Sequence, residues 1–193
     1  VWTSPADQAQ ADTLLGAGRA VLAVGPTANW PGKVWPPERF AELVQRLIGP
    51  GGALAGASVF VTGGPSEMHQ AQPVIDAVPA EKLLDGVGLS LPATATVFQR
   101  CRVFIGNDSG LMHLAAGAGT PVLGLFGPTN DVVYAPWSRY SRVVRTPESL
   151  QDLIGQPGFE HKTAGSQMTN LSVDTVEHAA RALLDESRPT EHS

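Results

Sequence analysis

The sequence contains one cysteine, Cys101, in 193 residues. A single cysteine excludes a disulfide framework and a cysteine-based metal site, and it fits a reducing compartment. Basic residues are not clustered anywhere, and the formal net charge of -5 argues against a nucleic-acid partner. No stretch approaches the ~18 apolar residues of a membrane span, and the N-terminus lacks the features of a secretory signal. We therefore expect a globular domain.

Several familiar catalytic motifs are also missing. The sequence has no G-x-G-x-x-G, no P-loop and no G-x-S-x-G, which argues against a classical dinucleotide site, a P-loop nucleotide site and an α/β-hydrolase. The five histidines have no metal-ligand spacing. No acid–base pair suits hydrolysis. We therefore predict no metal and no cofactor.

Apolar runs instead alternate with helical patterns along the whole chain. Strands are predicted at 20–25, 58–62, 83–85, 102–106, 121–126 and 140–145. This alternation predicts an α/β fold, Rossmann-like and doubly wound, with a mainly parallel sheet. One domain is expected over residues 1–193, with a long loop at 146–169 and a terminal helix at 173–186.

Local signals refine this prediction at three helix starts and one turn. Pro37 suits the first position of a helix, and Trp35 and Phe40 have the spacing of a hydrophobic staple. Ser66 and Asp108 are predicted as N-caps of the helices that follow them. Pro31-Gly32 has the composition of a type II turn.

The candidate site residues follow the ends of the predicted strands. Ligands of doubly wound folds bind outside the carboxyl ends of the strands, so these residues are expected at one edge of the sheet. They are Asn29, Lys33, Glu67, Asp108, Ser109, Gly110, His113 and Thr129.

Each of the first three candidates has two interpretations. Lys33 could pair with a phosphate, or it could be a solvated surface lysine. Asn29 could donate a hydrogen bond to a phosphate oxygen, or it could be an ordinary turn residue that binds no ligand. Glu67 could accept hydrogen bonds from the hydroxyls of a ribose, or it could favour the dipole of the helix it begins.

The turn Asp108-Ser109-Gly110 lies between a strand and a helix. The N-terminus of a helix carries unpaired N–H groups and a partial positive charge, so this turn could hold a diphosphate, or Asp108 could simply cap the helix. His113, one turn beyond Ser109, could face the same ligand or play a structural role. Cys101 is predicted to be a small core residue.

Taken together, the motifs resemble glycosyltransferase family 9, the ADP-heptose:lipopolysaccharide heptosyltransferases and their relatives. The segment NWPGKVWPPERFAEL at 29–43 resembles the start of the C-terminal half of that family. The segment GNDSGLMHLAA at 106–116, with GTPV at 119–122 and LFGPT at 125–129, resembles its most characteristic block. The similarity covers residues 1–145, and the final helix also fits.

The resemblance implies a domain that is one half of a GT-B glycosyltransferase. By this resemblance Lys33 and the Ser109-Gly110 turn contact the donor diphosphate with help from Asn29, and Asp108 lies close to the donor sugar. Glu67 is similar to the acidic residue that holds the ribose. Lys33 and Asp108 are then the catalytic residues of this chain, because they support the leaving diphosphate and the sugar.

The implied reaction is an inverting transfer, without a metal, from a nucleoside-diphosphate sugar such as ADP-heptose to a lipopolysaccharide-core acceptor. The chain has no initiator Met, and the acceptor domain with its catalytic base is expected to be missing, so the chain alone is expected to be inactive. We expect a cytoplasmic protein, with the periphery of the inner membrane as the alternative location. Self-association through an exposed cleft face is a further expectation.

Two other functions stay open at this point. The chain could be a binding module for a nucleotide or a phosphate, without catalysis. It could also be a hydrolase or an epimerase of nucleotide sugars, although such an enzyme needs an acid and a base in this chain, and no convincing pair is present.

Overall fold

A six-stranded parallel sheet organises the chain. The computed structural model describes residues 2–16, 20–161 and 163–188. The strands are β1 (Val21–Gly25), β2 (Ser58–Gly63), β3 (Leu83–Val87), β4 (Val103–Asn107), β5 (Val122–Phe126) and β6 (Ser141–Arg145). Their spatial order is β3-β2-β1-β4-β5-β6, and every neighbouring pair is parallel. The predicted fold class is confirmed.

Helices cover both faces of this sheet. They are α1 (Pro5–Leu15), α2 (Pro37–Ile48), α3 (Met68–Ala77), α4 (Leu91–Phe98), α5 (Gly110–Gly117), α6 (Asp131–Tyr134), α7 (Leu150–Ile154) and α8 (Val173–Glu186). The terminal helix has the predicted bounds. Within the described ranges no helix is long and apolar enough to cross a membrane.

The two faces of the sheet build two hydrophobic cores. Alternate residues of β1 divide between them: Leu22 and Val24 pack with α2, α3 and α8, whereas Ala23 packs with α1, α4 and α5. Because both faces of β1, β4 and β5 are buried, these strands are mostly continuous apolar runs rather than alternating ones, whereas the edge strands β3 and β6 carry polar, partly exposed residues. Cys101 lies in the second core, where burial raises the pKa of its thiol, so its predicted role as a core residue is confirmed.

The start of α2 follows the sequence signals closely. Pro37 is its first residue, and the rings of Trp35 and Phe40 meet edge to face with their centroids 4.9 Å apart. Both side chains are fully buried. The predicted staple is therefore confirmed, and it fixes the direction in which the chain enters α2.

The long loop predicted at 146–169 is interrupted by a helix, and this part of the prediction is wrong. Helix α7 begins after Ser149, whose side chain accepts a hydrogen bond from Asp152 N while the Asp152 carboxylate accepts one from Ser149 N. This capping box stabilises a helix of only five residues, which is too short to show a helical period in the sequence.

Candidate functional site

A cleft of about 790 Å³ opens at the carboxyl edge of the sheet. It lies where the strand order reverses between β1 and β4, which is the usual ligand position of doubly wound folds. Seven of the eight predicted site residues line it: Asn29, Lys33, Glu67, Asp108, Ser109, Gly110 and His113. Thr129, the eighth, is not among the lining residues, and its hydroxyl is buried without a hydrogen-bond partner in the described chain.

Lys33 and Asp108 form an ion pair inside the cleft. Lys33 Nζ lies 3.0 Å from Asp108 Oδ2, and the two side chains are 20% and 6% exposed. Asp108 Oδ2 is buried without an aligned hydrogen-bond donor, so the contact is an ion pair of imperfect geometry rather than a strong hydrogen bond. Lys33 also donates a 3.4 Å hydrogen bond to the Asp108 carbonyl. The surface-lysine interpretation of Lys33 is therefore wrong.

The prediction that Asp108 caps α5 is also wrong. The N-cap is Ser109, and its side chain makes no capping hydrogen bond. The Asp108 carboxylate instead faces Lys33, 75 residues away in the sequence, because the β1 loop and the end of β4 are neighbours in the sheet.

The beginning of α5 is open toward the cleft. Ser109 Oγ is buried without a hydrogen-bond partner among the described residues, and a Cβ added at Gly110 would meet nothing within 4 Å. The first N–H groups of any helix have no partner within the helix and carry a partial positive charge. This end of α5 can therefore accept an anionic group.

Glu67 also lines the cleft. Its Oε2 accepts a 2.7 Å hydrogen bond from Gly64 N, and Glu67 itself occupies the N-cap position of α3. The predicted cap at Ser66 is wrong, because α3 begins at Met68, one residue later than that prediction requires. The Gly64 contact fixes the carboxylate at the rim of the cleft.

His113 and Asn29 complete the polar lining. Both are exposed and contribute to the cleft wall. The lining also has an apolar part, formed by Leu89, Leu91, Leu111, Leu114 and Tyr134. The cleft thus combines the Lys33–Asp108 ion pair and the open beginning of α5 with an apolar surface that a flat ring could contact.

The loop that carries Lys33 differs from its prediction. Residues Pro31–Lys33 form a short 3-10 helix, and Gly32 does not have the positive φ that a type II turn requires. Lys33 N donates to Trp30 O at 3.0 Å, which tightens this turn. A Cβ on Gly32 would lie 2.7 Å from the Trp30 ring, so the glycine serves a close contact rather than a special backbone angle.

Two residues that sequence reasoning did not single out hold this loop. Asn107 is fully buried and hydrogen-bonds Pro26 O and Trp35 N, and Gln70 bonds Ala28 through both its amide atoms. For Asn107 a signal was present, because an Asn that ends an apolar strand needs hydrogen-bond partners when it is buried. Gln70 has no comparable signal.

An exposed apolar patch adjoins the cleft. Val132, Val133 and Tyr134 on α6, together with Trp137, are exposed, and Trp137 is 97% exposed. Tyr134 also lines the cleft, so the patch continues the apolar part of the lining. The expected self-association through this face stays a prediction.

Comparison with known proteins places this geometry in a class. The model of glycosyltransferase family 9 (heptosyltransferase) matches residues 2–157. Lipooligosaccharide heptosyltransferase 2 of Haemophilus influenzae is 30% identical over 155 residues, which cover 75% of this chain and 43% of that protein. The chain therefore matches less than half the length of this curated relative.

Solved structures show the same fold. The family 9 glycosyltransferase from Veillonella parvula is 26% identical, with a TM-score of 0.79 over 97% of this chain and 54% of its own. The E. coli ADP-heptose lps heptosyltransferase II is 22% identical, with a TM-score of 0.75 over 96% of this chain and 53% of its own. The class is thus that of the GT-B-like glycosyltransferases. Within it, the chain belongs to glycosyltransferase family 9, the heptosyltransferase family.

Proposed function

We propose that the cleft binds a nucleoside-diphosphate sugar as the donor for transfer of the sugar, a heptose, to a lipopolysaccharide-core acceptor. The observation that carries this proposal is the position of Lys33 and the open end of α5 in one cleft. A diphosphate carries several negative charges. A preformed cation and a helix N-terminus are the groups that bind such charge without a metal.

The proposed roles follow from position. Lys33 and the N–H groups of Ser109 and Gly110 hold the diphosphate, with Asn29 assisting from the same loop as Lys33. Glu67 takes the ribose, because one carboxylate oxygen is already anchored by Gly64 and the other is available to accept hydrogen bonds. The backbone and side chains around Leu89 and Leu91 border the base.

The proposed reaction is a displacement at the anomeric carbon with inversion. The acceptor oxygen forms a bond to that carbon, the bond to the diphosphate oxygen breaks, and its electron pair leaves with the diphosphate. The acceptor proton passes to a carboxylate base. Lys33 and the α5 N–H groups stabilise the growing negative charge, and loss of one such preorganised donor typically costs about 3 kcal/mol of barrier.

The base is proposed to come from a second domain. Of the two carboxylates among the described residues that line this cleft, Asp108 pairs with Lys33, and Glu67, held by Gly64 N, is assigned to the ribose, so neither is free to take the acceptor proton. On this proposal the 193-residue chain binds the donor but does not transfer the sugar. The identity of the donor, ADP-heptose, is supported by the name of the E. coli structure with the same fold.

The first experiment is a calorimetric titration of the chain with ADP, ADP-heptose and other nucleoside diphosphates. ADP ligands should bind, and Lys33→Ala should weaken binding about 10- to 100-fold, since a hydrogen bond to a charged group is worth about 1.5–3 kcal/mol. Arg142→Ala is the control, because it removes a cation that pairs with Glu186 outside the lining of the cleft.

Two results would contradict the proposal. One is the absence of binding by every nucleoside diphosphate tested. The other is an equal loss of affinity in Lys33→Ala and Arg142→Ala, because a general change in charge would then explain both. Transfer assayed with the chain alone, and again with an N-terminal domain of the family added, tests where the base resides.

A further inference from the structure

The segment 26–35 of the loop between β1 and α2 carries Lys33 and two other cleft residues, Thr27 and Asn29. We call it the Lys33 loop. Surface loops of this kind are by default more mobile than the strands they join. A mobile Lys33 would lose conformational entropy on contact with a ligand, and that loss would weaken binding. The structure therefore needs a way to hold the loop.

Asn107 ties the two ends of the Lys33 loop together. Its Nδ2 donates to Pro26 O at 2.8 Å, and its Oδ1 accepts from Trp35 N at 3.1 Å. The side chain is fully buried, so both hydrogen bonds are shielded from water. Pro26 is the first residue of the loop and Trp35 is the last.

Gln70 holds the middle of the same loop. Its Oε1 accepts from Ala28 N at 3.0 Å, and its Nε2 donates to Ala28 O at 3.2 Å. A side-chain amide is an uncharged group that offers a donor and an acceptor side by side. Gln70 and Asn107 both use this property, and each engages the backbone of the loop twice.

The two amides also come from the elements that carry the rest of the site. Asn107 directly precedes Asp108, and Gln70 follows Glu67 by one turn of α3. Each amide thus joins the Lys33 loop to one other part of the cleft.

We infer that Asn107 and Gln70 act as an amide clamp that positions Lys33 for the donor diphosphate before the donor binds. This inference rests on the proposed function. Both are positioning residues, because neither side chain is among the residues that line the cleft and both act through the backbone of the loop. The clamp sets the distances from Lys33 to the end of α5 and to Glu67.

The test is a double-mutant cycle on the 193-residue chain, with ADP affinity measured by calorimetry. Gln70→Met removes the amide and adds no charge. It should weaken ADP binding about fivefold, the equivalent of about one net hydrogen bond. In a Lys33→Ala background the same change should cost less than about twofold, because the group being positioned is then absent.

Gln72→Met is the matched control. Gln72 lies on the same helix, is exposed, and bonds only Asp76 among the described residues. It should leave ADP affinity unchanged in both backgrounds. Asn107→Ala should weaken ADP binding more than Gln70→Met does, and it should also lower the stability of the fold. If Asn107→Ala does not fold, the ADP affinity of Gln70→Met alone tests the clamp.

Hydrogen exchange of the ligand-free chain gives a second readout. Backbone amides of residues 27–30 and 32–35 should exchange faster in Gln70→Met than in the wild type or in Gln72→Met. Unchanged exchange, or the same loss of ADP affinity in both Lys33 backgrounds, overturns the clamp while the donor site stands. If Lys33→Ala itself leaves ADP affinity unchanged, the proposed function fails and the clamp with it.

Discussion

The Lys33–Asp108 ion pair should contribute to stability and to donor binding in separable ways. Lys33→Met keeps most of the apolar stem of the side chain but removes the ammonium group, and it leaves the 6%-exposed Asp108 carboxylate without its partner. Breaking a fully buried pair costs about 3–5 kcal/mol. Because Lys33 is 20% exposed, water can partly replace it, and we expect about 2 kcal/mol.

Thermal unfolding measures this loss directly. For a chain of this size about 2 kcal/mol corresponds to a fall in Tm of about 4–8 °C. The double variant Lys33→Met/Asp108→Asn removes both charges, and its Tm should return to within about 3 °C of the wild type, since removal of both partners leaves no buried unpaired charge.

Donor binding should behave differently in the same two variants. If Lys33 holds the diphosphate, ADP affinity falls in Lys33→Met and does not return in the double variant. Recovery of ADP binding in the double variant would refute the role of Lys33 as a phosphate ligand. An unchanged Tm in Lys33→Met would refute the contribution of the ion pair to folding.

Three further predictions concern other parts of the chain. Gly110→Ala should change the free energy of unfolding by less than about 0.5 kcal/mol, because the added Cβ meets no neighbour, yet it should weaken ADP binding in calorimetry by filling space in front of α5. Trp35→Ala should destabilise by about 3–5 kcal/mol in urea unfolding, since the ring is fully buried and its Nε1 donates to Leu171 O. Cys101 should resist iodoacetamide in the folded state. Burial raises the pKa of the Cys101 thiol above the value of about 8.5 that a thiol has in the unfolded chain. The contribution of this thiol to stability is therefore complete below about pH 8.5 and declines at higher pH. Cys101→Ala should reduce this decline in urea unfolding measured as a function of pH.

Prediction from sequence was most accurate where the pattern is long and local. Val173–Glu186 is an amphipathic helix whose buried residues Val176, Ala180 and Leu183 repeat at helical spacing, so both its bounds were predicted. The staple of Trp35 and Phe40 depends on residues five apart, and it was also predicted. Helices α6 and α7 have four and five residues, and a periodic pattern cannot appear in so few positions.

The sequence predicted well which residues lie in the site, but it predicted poorly which of them contact each other. Parallel strands place their carboxyl ends at one edge, so seven candidates line the cleft even though they are spread over residues 29–113. The cap predicted at Ser66 missed by one residue, because α3 begins at Met68. The error at Asp108 has a tertiary cause. N-cap preference describes a competition between near neighbours, and it contains no information on a partner that arrives from another strand.

The amino-acid sequence by itself determined the alternating α/β pattern, the burial of both sheet faces and the family, because each depends on residue types and spacings within short stretches. The tertiary structure decided that Asp108 pairs with Lys33 and that Asn107 and Gln70 hold the Lys33 loop. Those contacts join residues 42 to 81 positions apart, and they exist only because β4 lies beside β1 and α3 lies near the end of β1. Strand order in the sheet, rather than local preference, therefore brings the parts of the site together.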